Sequence, residues 1–324
     1  MVELIEFDAT KFDIRSVTKV AKLIDMLNAI EDNPKLRGKV ALHGGTALNL
    51  FVLGLPRLSV DIDLNFLGSG DYSTAFAAAE KVRAEIEAVA RFRGFMVKTP
   101  KTGKTLAVKL EYATNGRNDN IKVDIGTGNR SPLFPPQQKT AKIENIGYVR
   151  TTSVSDTELI GGKLRALLSR AVIRDLYDSM QISQHLTDLL HDDLTRRIIL
   201  YYIATSLSFP KPITIYSRFK NLEQEVKSRL LPMLARNEQF SIADASQQVI
   251  QFLTPASTPL NQTEADFLTA AGHGQFKPEL LFCDEPDLTT AALGDPVAQR
   301  KFEHLAQTPE LHRAFQVGEP NVAN

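Results

Sequence analysis

The amino-acid sequence predicts an α/β (α+β) fold with two domains. Residues 1–150 contain several short stretches in which apolar and polar residues alternate, interspersed with longer stretches of helical periodicity. This combination is typical of a mixed β-sheet with flanking helices. From residue 151 to residue 324 the periodicity is helical almost throughout. We therefore predict a mixed-sheet domain over residues 1–150, followed by a mainly helical C-terminal domain over residues 151–324.

The first predicted elements of the sheet domain are a helix, a strand and a second helix. Apolar residues three and four positions apart predict a helix over residues 16–30. A strand over residues 40–42 then leads into a turn at Gly44 and Gly45, and residues 46–51 have a helical composition. The order of strand, glycine turn and helix places a flexible backbone and a helix N-terminus at the same point.

The next predicted strand, over residues 60–66, has two different faces. Because side chains alternate between the faces of a strand, the apolar residues lie on one face and Asp61, Asp63 and Asn65 lie on the other. The strand is therefore half-buried and has an acidic face. The rest of the domain is predicted as one helix and four strands, over residues 73–93, 95–97, 105–112, 120–125 and 143–149.

Helices dominate the predicted C-terminal domain. Ser155 and Glu158 have the spacing of a capping box, which indicates that a helix begins there. The final stretch, rich in Gly, Pro, Asp and Thr, predicts short helices on loops. The five longer helices are predicted over residues 155–170, 175–190, 193–206, 215–235 and 242–253.

Composition limits the classes of function. The 324 residues include 38 basic and 38 acidic side chains, so the formal net charge is zero and any site for a polyanion has to be local. A single cysteine, Cys283, excludes an internal disulfide and a cysteine-cluster zinc site. No apolar run reaches the ~20 residues of a membrane span, and the N-terminal residues lack a signal pattern. We predict a cytoplasmic protein that does not bind membranes.

The glycine pair and three aspartates form the strongest candidate site. Glycines before a helix let the backbone approach a ligand, and the first amides of the helix bind phosphate. Asp61 and Asp63 project from one strand face, close enough to share Mg²⁺ for phosphoryl transfer. Asp124 adds a third carboxylate if its strand lies beside theirs. Either motif alone is common, but their order and spacing together favour a functional site.

These motifs resemble the AbiEii/AbiGii-type (MenT-like) nucleotidyltransferase toxins of the DNA-polymerase-beta-like nucleotidyltransferase superfamily. The resemblance covers roughly residues 38–180, a little under half of the chain. It implies that residues 1–150 form a nucleotidyltransferase domain. The residues that carry it are Gly44, Gly45, Arg57, Ser59, Asp61, Asp63, Asp124, the run Lys163-Leu164-Arg165-Ala166-Leu167, Arg170 and the run Arg174-Asp175-Leu176-Tyr177-Asp178.

The resemblance implies transfer of a nucleotide from a nucleoside triphosphate (NTP) to an acceptor, with release of pyrophosphate. Related toxins add nucleotides to the 3′ ends of transfer RNA (tRNA) and are opposed by an antitoxin. The family therefore implies an RNA acceptor, a tRNA 3′ end, together with a cognate antitoxin protein as the partners and Mg²⁺ as the cofactor.

A role for each matching residue follows from the same resemblance. Asp61 and Asp63 would hold two Mg²⁺ ions, and Asp124 would complete the acidic cluster and help to activate the acceptor hydroxyl. Lys163 would contact phosphate, and Asp178 would orient that lysine or the base. The nucleotide would be bound by Gly44, Gly45, Thr46, Arg57, Ser59 and Lys163.

Several of these residues also have simpler interpretations. Lys163 and Arg170 lie on one helix face and could form a solvated stripe. Asp175 and Asp178 could be ordinary cap and surface carboxylates. The hydroxyl of Ser59 could face the triphosphate, where phosphorylation would block nucleotide binding, or it could satisfy local backbone.

A one-sided basic run lies between residues 81 and 109. Such a run can bind the phosphates of an RNA acceptor, although it could also be a solvated helix face. It consists of Lys81, Arg83, Arg91, Arg93, Lys98, Lys101, Lys104 and Lys109.

Three hypotheses on function follow. The leading one is a toxin that transfers nucleotides to RNA by magnesium-dependent phosphoryl transfer. The second is a nucleotidyltransferase that acts on a small molecule or on a protein hydroxyl. The third is a catalytically silent module that senses nucleotides or binds a partner, which the presence of all three carboxylates disfavours.

Overall fold

The computed structural model describes residues 3–68, 70–99, 106–114, 116–128, 130–257 and 259–313. The chain divides into two compact units. The first contains Met1–Asp156 and Pro232–Asn237, and the second contains Thr157–Leu231 and Glu238–Asn324. The first unit thus ends a few residues beyond residue 151 and also includes a short segment from the second half of the sequence.

The first unit contains a mixed sheet, as the sequence predicts, but its described residues form eight strands where the sequence predicted six. The strands, within the described residues, are β1 (Glu3–Ile5), β2 (Val40–His43), β3 (Asp61–Phe66), β4 (Met96–Lys98), β5 (Ala107–Thr114), β6 (Arg117–Gly126), β7 (Gln137–Ile143) and β8 (Gly147–Ser153). Their order across the sheet is β1-β7-β8-β2-β3-β6-β5-β4. The pairs β1–β7, β2–β8 and β3–β6 are parallel, and the other neighbouring pairs are antiparallel.

The single strand predicted over residues 143–149 is wrong. The chain reverses within that range, so β7 and β8 pair as an antiparallel hairpin. Asn145 has a φ of 60° and Gly147 a φ of 134°, and these are the backbone conformations that a tight reversal requires. Asparagine tolerates the left-handed region better than most residues do, and this turn signal lay inside the predicted strand.

Three helices accompany the sheet: α1 (Ile14–Asp32), α2 (Gly44–Phe51) and α3 (Tyr72–Phe92). Helix α1 packs against α3 and on β6 and β8, whereas α2 packs on β2, β3 and β7. The buried carboxylate of Glu31 accepts hydrogen bonds from the Thr152 amide and from Gln138 Nε2, each at 2.7 Å, and so ties the end of α1 to β7 and β8. Helix α2 begins at Gly44, so the glycine pair forms its first turn instead of preceding it.

Helices are the main secondary structure in the described part of the second unit. Its helices are α4 (Asp156–Ser169), α5 (Ile173–His185), α6 (Asp193–Ala204), α7 (Tyr216–Phe219), α8 (Glu223–Glu225), α9 (Ile242–Ser257), α10 (Gln262–Gly272), α11 (Pro286–Leu293) and α12 (Pro296–Ala306). Helix α9 packs against α5, α6 and α7. Large aromatic side chains are fully buried in the core of this unit, among them Tyr201, Phe219, Phe267 and Phe282.

The continuous helix predicted over residues 215–235 is also wrong. The segment consists of α7, α8, a π-helical turn at Val226–Leu230 and a 3₁₀ turn at Leu231–Met233. Pro232 lacks the amide hydrogen that an α-helix needs, and from this residue to Asn237 the chain belongs to the first unit. Among the described residues, no helix is long and apolar enough to cross a membrane.

Candidate active site

The three predicted aspartates lie on neighbouring strands in one register. Strands β3 and β6 are parallel, with Asp63 opposite Asp124 and Asp61 opposite Lys122. Residues opposite each other in adjacent strands project from the same face, and so do residues two apart on one strand. The carboxylates of Asp61, Asp63 and Asp124 therefore share a face, on which all three residues are partly exposed. The sequence predicted this arrangement only on the condition that the two strands are neighbours.

Gly44 lies directly against this acidic face. Its φ of 73° falls in the left-handed region, and a Cβ atom at this position would be 2.6 Å from Asp63 Oδ2. Any side chain here would displace the carboxylate or the backbone, so the contact requires glycine. The first turn of α2 and the carboxylate of Asp63 are therefore immediate neighbours, as the sequence motif predicts.

Thr46 connects the same turn to the start of β3. Its hydroxyl donates to the carbonyl oxygen of Asp61 at 2.5 Å and lies 2.9 Å from Ser59 Oγ. Both hydroxyl groups belong to buried residues. The Ser59 hydroxyl is thus hydrogen-bonded to the Thr46 side chain inside the first unit. In the same turn, the carbonyl oxygen of Gly45 accepts a hydrogen bond from Asn49 Nδ2 at 2.8 Å.

The segment before β3 is anchored by residues distant in the sequence. Arg57 is only 2% exposed, and its Nη1 donates to the carbonyl oxygen of Leu58 at 2.9 Å. The Leu58 amide donates to the carbonyl oxygen of Met233 at 2.8 Å. Ser16 Oγ also donates to the carbonyl oxygen of Pro232, at 3.2 Å. These contacts fix the position of the chain segment that precedes Asp61 within the first unit.

Lys122 belongs to the acidic face, and the sequence interpretation missed it. Its Nζ lies 2.5 Å from Asp124 Oδ2. This hydrogen bond, together with the negative charges of Asp124, Asp61 and Asp63, raises the pKa of Lys122 above its usual value despite partial burial. The residue is therefore a stable ammonium at neutral pH. The sequence did contain a signal for Lys122. It lies two residues before Asp124 on the same strand and therefore projects from the same face.

The donors on this face match the chemistry of Mg²⁺, which binds one or two protein carboxylates together with substrate phosphates. Asp61 and Asp63 provide such a carboxylate pair. Asn65, the next residue on their face, is 5% exposed, and its Oδ1 has no hydrogen-bond partner among the described residues. In that same part of the chain, no three acidic, histidine or cysteine side chains are arranged to hold one metal ion.

The other predicted polar residues meet in the second unit. Lys163 Nζ lies 2.8 Å from Asp175 Oδ1 and 2.9 Å from Asp178 Oδ2, and all three side chains are buried. Arg170 Nε adds a contact to Asp175 at 2.7 Å. Burial alone would raise the pKa of Asp175, but Lys163 and Arg170 outweigh it and lower the pKa below its usual value. The interpretation of Asp175 and Asp178 as surface carboxylates is therefore wrong.

Ion pairs neutralise much of the basic run of residues 81–109. Arg83 and Arg91 both bind Glu87, at 2.6 and 3.0 Å, and Arg93 binds Asp25. Lys98 and Lys109 bind Glu111 at 2.7 and 2.9 Å, whereas Lys101 and Lys104 lie outside the described residues. Five members of the run therefore share three carboxylates, those of Glu87, Asp25 and Glu111, which balance its positive charge only in part.

Comparison with known proteins agrees with this fold. The fold is similar to that of MenT4, a nucleotidyltransferase toxin from Mycobacterium tuberculosis H37Rv, with a TM-score of 0.53, 17% sequence identity and coverage of 90% of this chain and 92% of that one. A search of curated proteins finds no match.

A family model assigns the chain more specifically. The model for the nucleotidyl transferase AbiEii toxin of type IV toxin–antitoxin systems matches residues 25–271. The chain belongs to this family and is a nucleotidyltransferase. The matched range includes both the acidic face in the first unit and the buried Lys163 cluster in the second.

Proposed function

We propose that this toxin transfers a nucleotide from an NTP to an RNA acceptor, a tRNA 3′ end, by Mg²⁺-dependent phosphoryl transfer. The observation that carries the proposal is the register of β3 and β6, which brings Asp61, Asp63 and Asp124 onto one face with Gly44 against Asp63. Such an acceptor implies that the toxin acts in the cytoplasm. Its family further supports a cognate antitoxin as a partner.

In this proposal Asp61 and Asp63 would hold Mg²⁺. When bound, the ion would supply positive charge that offsets the negative charge on the phosphate oxygens during transfer. The first turn of α2, which includes Gly44, Gly45 and Thr46, offers backbone amides to the triphosphate. Arg57 and Ser59, both buried, belong to the segment that directly precedes Asp61 and hold that segment in place.

The transfer step exchanges one phosphorus–oxygen bond for another. The acceptor hydroxyl oxygen forms a bond to the α-phosphorus, and the bond from that phosphorus to the oxygen bridging to the β-phosphate breaks. Pyrophosphate leaves with the bonding electrons, and the hydroxyl proton passes to the carboxylate of Asp124.

Lys163 provides a fixed positive charge in the proposed mechanism. Asp175 and Asp178 hold its ammonium group by two short contacts, which keep it charged although it is buried. We assign Lys163 to a phosphate group of the substrate and Asp178 to the orientation of Lys163.

One experiment separates the candidate functions. The purified protein is incubated with Mg²⁺, each labelled NTP in turn and total RNA, and the label is followed into RNA, protein and small molecules. Labelled tRNA supports the proposal. Label in protein or in a small molecule supports the second hypothesis, which the ion-paired state of the basic run favours. No label in any fraction would contradict the proposal.

Asp61→Asn tests the assignment of the metal-binding carboxylates. We expect it to reduce transfer by at least a hundredfold, because a carboxamide cannot replace the charge of a metal ligand. Glu111→Gln is a matched control, since Glu111 lies on β5, two strands away from β3, and forms ion pairs with Lys98 and Lys109. A folded, fully active Asp61→Asn variant would contradict the assignment.

A further inference from the structure

Lys122 occupies one corner of a four-residue array on the acidic face. Asp61 and Asp63 form one side of the array on β3, and Lys122 and Asp124 form the other side on β6. Three carboxylates at such positions repel one another, and each also repels any further anion that approaches. The ammonium group of Lys122 reduces the formal charge of the array from −3 to −2, so part of the positive charge that the site needs is already present in the chain.

Lys122 contacts the carboxylate of Asp124. The Nζ atom lies 2.5 Å from Asp124 Oδ2, although Asp61 is the residue directly opposite Lys122 in the register. Asp124 therefore already has a cation bound to it. A divalent ion that used Asp124 as a full ligand would have to displace this ammonium group.

We propose that Lys122 replaces a second divalent ion on the acidic face, so that the free protein binds one ion at Asp61 and Asp63. This inference rests on the proposed function and refines it, because the family resemblance implied two Mg²⁺ ions. Lys122 acts through Asp124 and is a positioning residue. It holds the Asp124 carboxylate in place and lowers the affinity of that carboxylate for metal.

A neighbouring lysine provides a matched control. Lys109 on β5 lies directly opposite Lys122 and also has an exposed side chain, but its Nζ binds Glu111 at 2.9 Å. Substitution of either lysine removes one positive charge from the same region of the sheet. A difference between the two variants therefore reports the contact with Asp124 and not the general loss of charge.

Binding of Mn²⁺ to the protein without nucleotide tests the inference. Free Mn²⁺ is measured by electron paramagnetic resonance for the wild type, Lys122→Met, Lys122→Gln, Lys122→Arg and Lys109→Met, each with its thermal unfolding curve as a folding check. We expect Lys122→Met and Lys122→Gln to bind Mn²⁺ about tenfold more tightly or to bind a second ion. Lys122→Arg and Lys109→Met should match the wild type, which should bind one ion.

Three outcomes would overturn the inference: a wild type that binds two ions, Lys122→Met and Lys122→Gln variants that both bind as the wild type does, or an equal shift in Lys109→Met. The variant Asp63→Asn separates these failures from failure of the proposed function. If Asp63→Asn leaves Mn²⁺ binding unchanged, the metal assignment itself is wrong. If it abolishes binding while the Lys122 variants have no effect, only the role of Lys122 is wrong.

Discussion

At the scale of single residues, the site depends on the missing side chain of a glycine as well as on the side chains that are present. Gly44 has no side chain, and this allows the first turn of α2 to touch the carboxylate of Asp63. Thr46 fixes the same turn to the carbonyl oxygen at the start of β3. The distance between the glycine turn and the acidic strand is thus set by two neighbouring residues, neither of which is charged.

Gly44→Ala should impair both stability and transfer. The added Cβ would lie 2.6 Å from Asp63 Oδ2, and the φ of 73° would strain any residue with a side chain. We expect a loss of about 1 to 3 kcal/mol in the free energy of unfolding, measured by chemical denaturation, and a loss of transfer of at least tenfold.

Gly38→Ala is the control for backbone strain. Gly38 has a φ of 69°, but a Cβ atom there would meet nothing within 4 Å. This variant should lose comparable stability and keep its transfer activity. If both variants lost activity equally, the contact between Gly44 and Asp63 would not matter to the reaction.

At the scale of elements, the register of two strands decides which side chains form the site. Asp63 and Asp124 lie opposite each other because β3 and β6 pair in parallel with this alignment. A shift of one residue would turn Asp124 to the other face of the sheet and bring Val123 in its place. The apolar side chains Ile62, Leu64 and Val123 are fully buried and thereby oppose such a shift.

Two adjacent glycines in α4 should respond in opposite ways to substitution by alanine. A Cβ atom at Gly161 would lie 2.3 Å from the ring of Tyr202 on α6, whereas one at Gly162 would meet nothing within 4 Å. We expect Gly161→Ala to lower the melting temperature, because the buried ring cannot move without disturbing the core. Gly162→Ala should leave the melting temperature unchanged or raise it. The free energy of unfolding should increase by up to about 1 kcal/mol, because alanine has a higher helix propensity than glycine.

Thermal unfolding of the two variants, followed by circular dichroism, checks this prediction. Equal destabilisation by both substitutions would show that the close contact between α4 and α6 does not limit the size of residue 161.

At the scale of the whole molecule, basic and acidic side chains from distant parts of the sequence form ion pairs. The formal net charge is zero, and most of the described members of the basic run have acidic partners. Such a protein has little general attraction for polyanions. Recognition of an RNA acceptor would therefore depend on local contacts and not on a long-range field.

Lys301 links the stability of the fold to pH. Its Nζ donates to the carbonyl oxygen of Ala204, the last residue of α6, at 2.6 Å, and also to that of Ser206. Burial, with a smaller effect from Arg165, lowers the pKa of Lys301 to about 7. In the unfolded chain the pKa returns to its ordinary value of about 10.4. Between these two values the unfolded chain binds a proton that the folded protein has released.

The free energy of unfolding should therefore rise with pH in that window. Because of Lys301, the free energy of unfolding is highest above about pH 10 and decreases as the pH falls to about 7. The slope of this change is at most about 1.4 kcal/mol per pH unit. Urea denaturation of the wild type and of Lys301→Met at pH 7, 8 and 9 measures it. We expect the wild type to gain stability relative to the variant over this range, and a constant difference would rule out the shifted pKa.

The sequence by itself determined the class of fold, the family and the motifs of the acidic face. Alternation of apolar residues predicted β3, and the spacing of the glycine pair from Asp61 and Asp63 predicted the site, because these patterns depend only on residues near one another in the chain. The break of the helix at Pro232 and the hairpin turn at Asn145 also had local signals, but stronger periodicity on either side obscured them.

Only the tertiary structure decided which distant residues meet. The pairing of β3 with β6 brought Asp124 and Lys122 to Asp61 and Asp63, and the partners of the basic run came from separate elements. The sequence left open that Asp175 is a surface residue, whereas in the structure it is buried and contacts Lys163. Strand order and ion pairing join residues far apart in sequence, and the free energy that selects them comes from packing of the whole core. No local pattern encodes that choice.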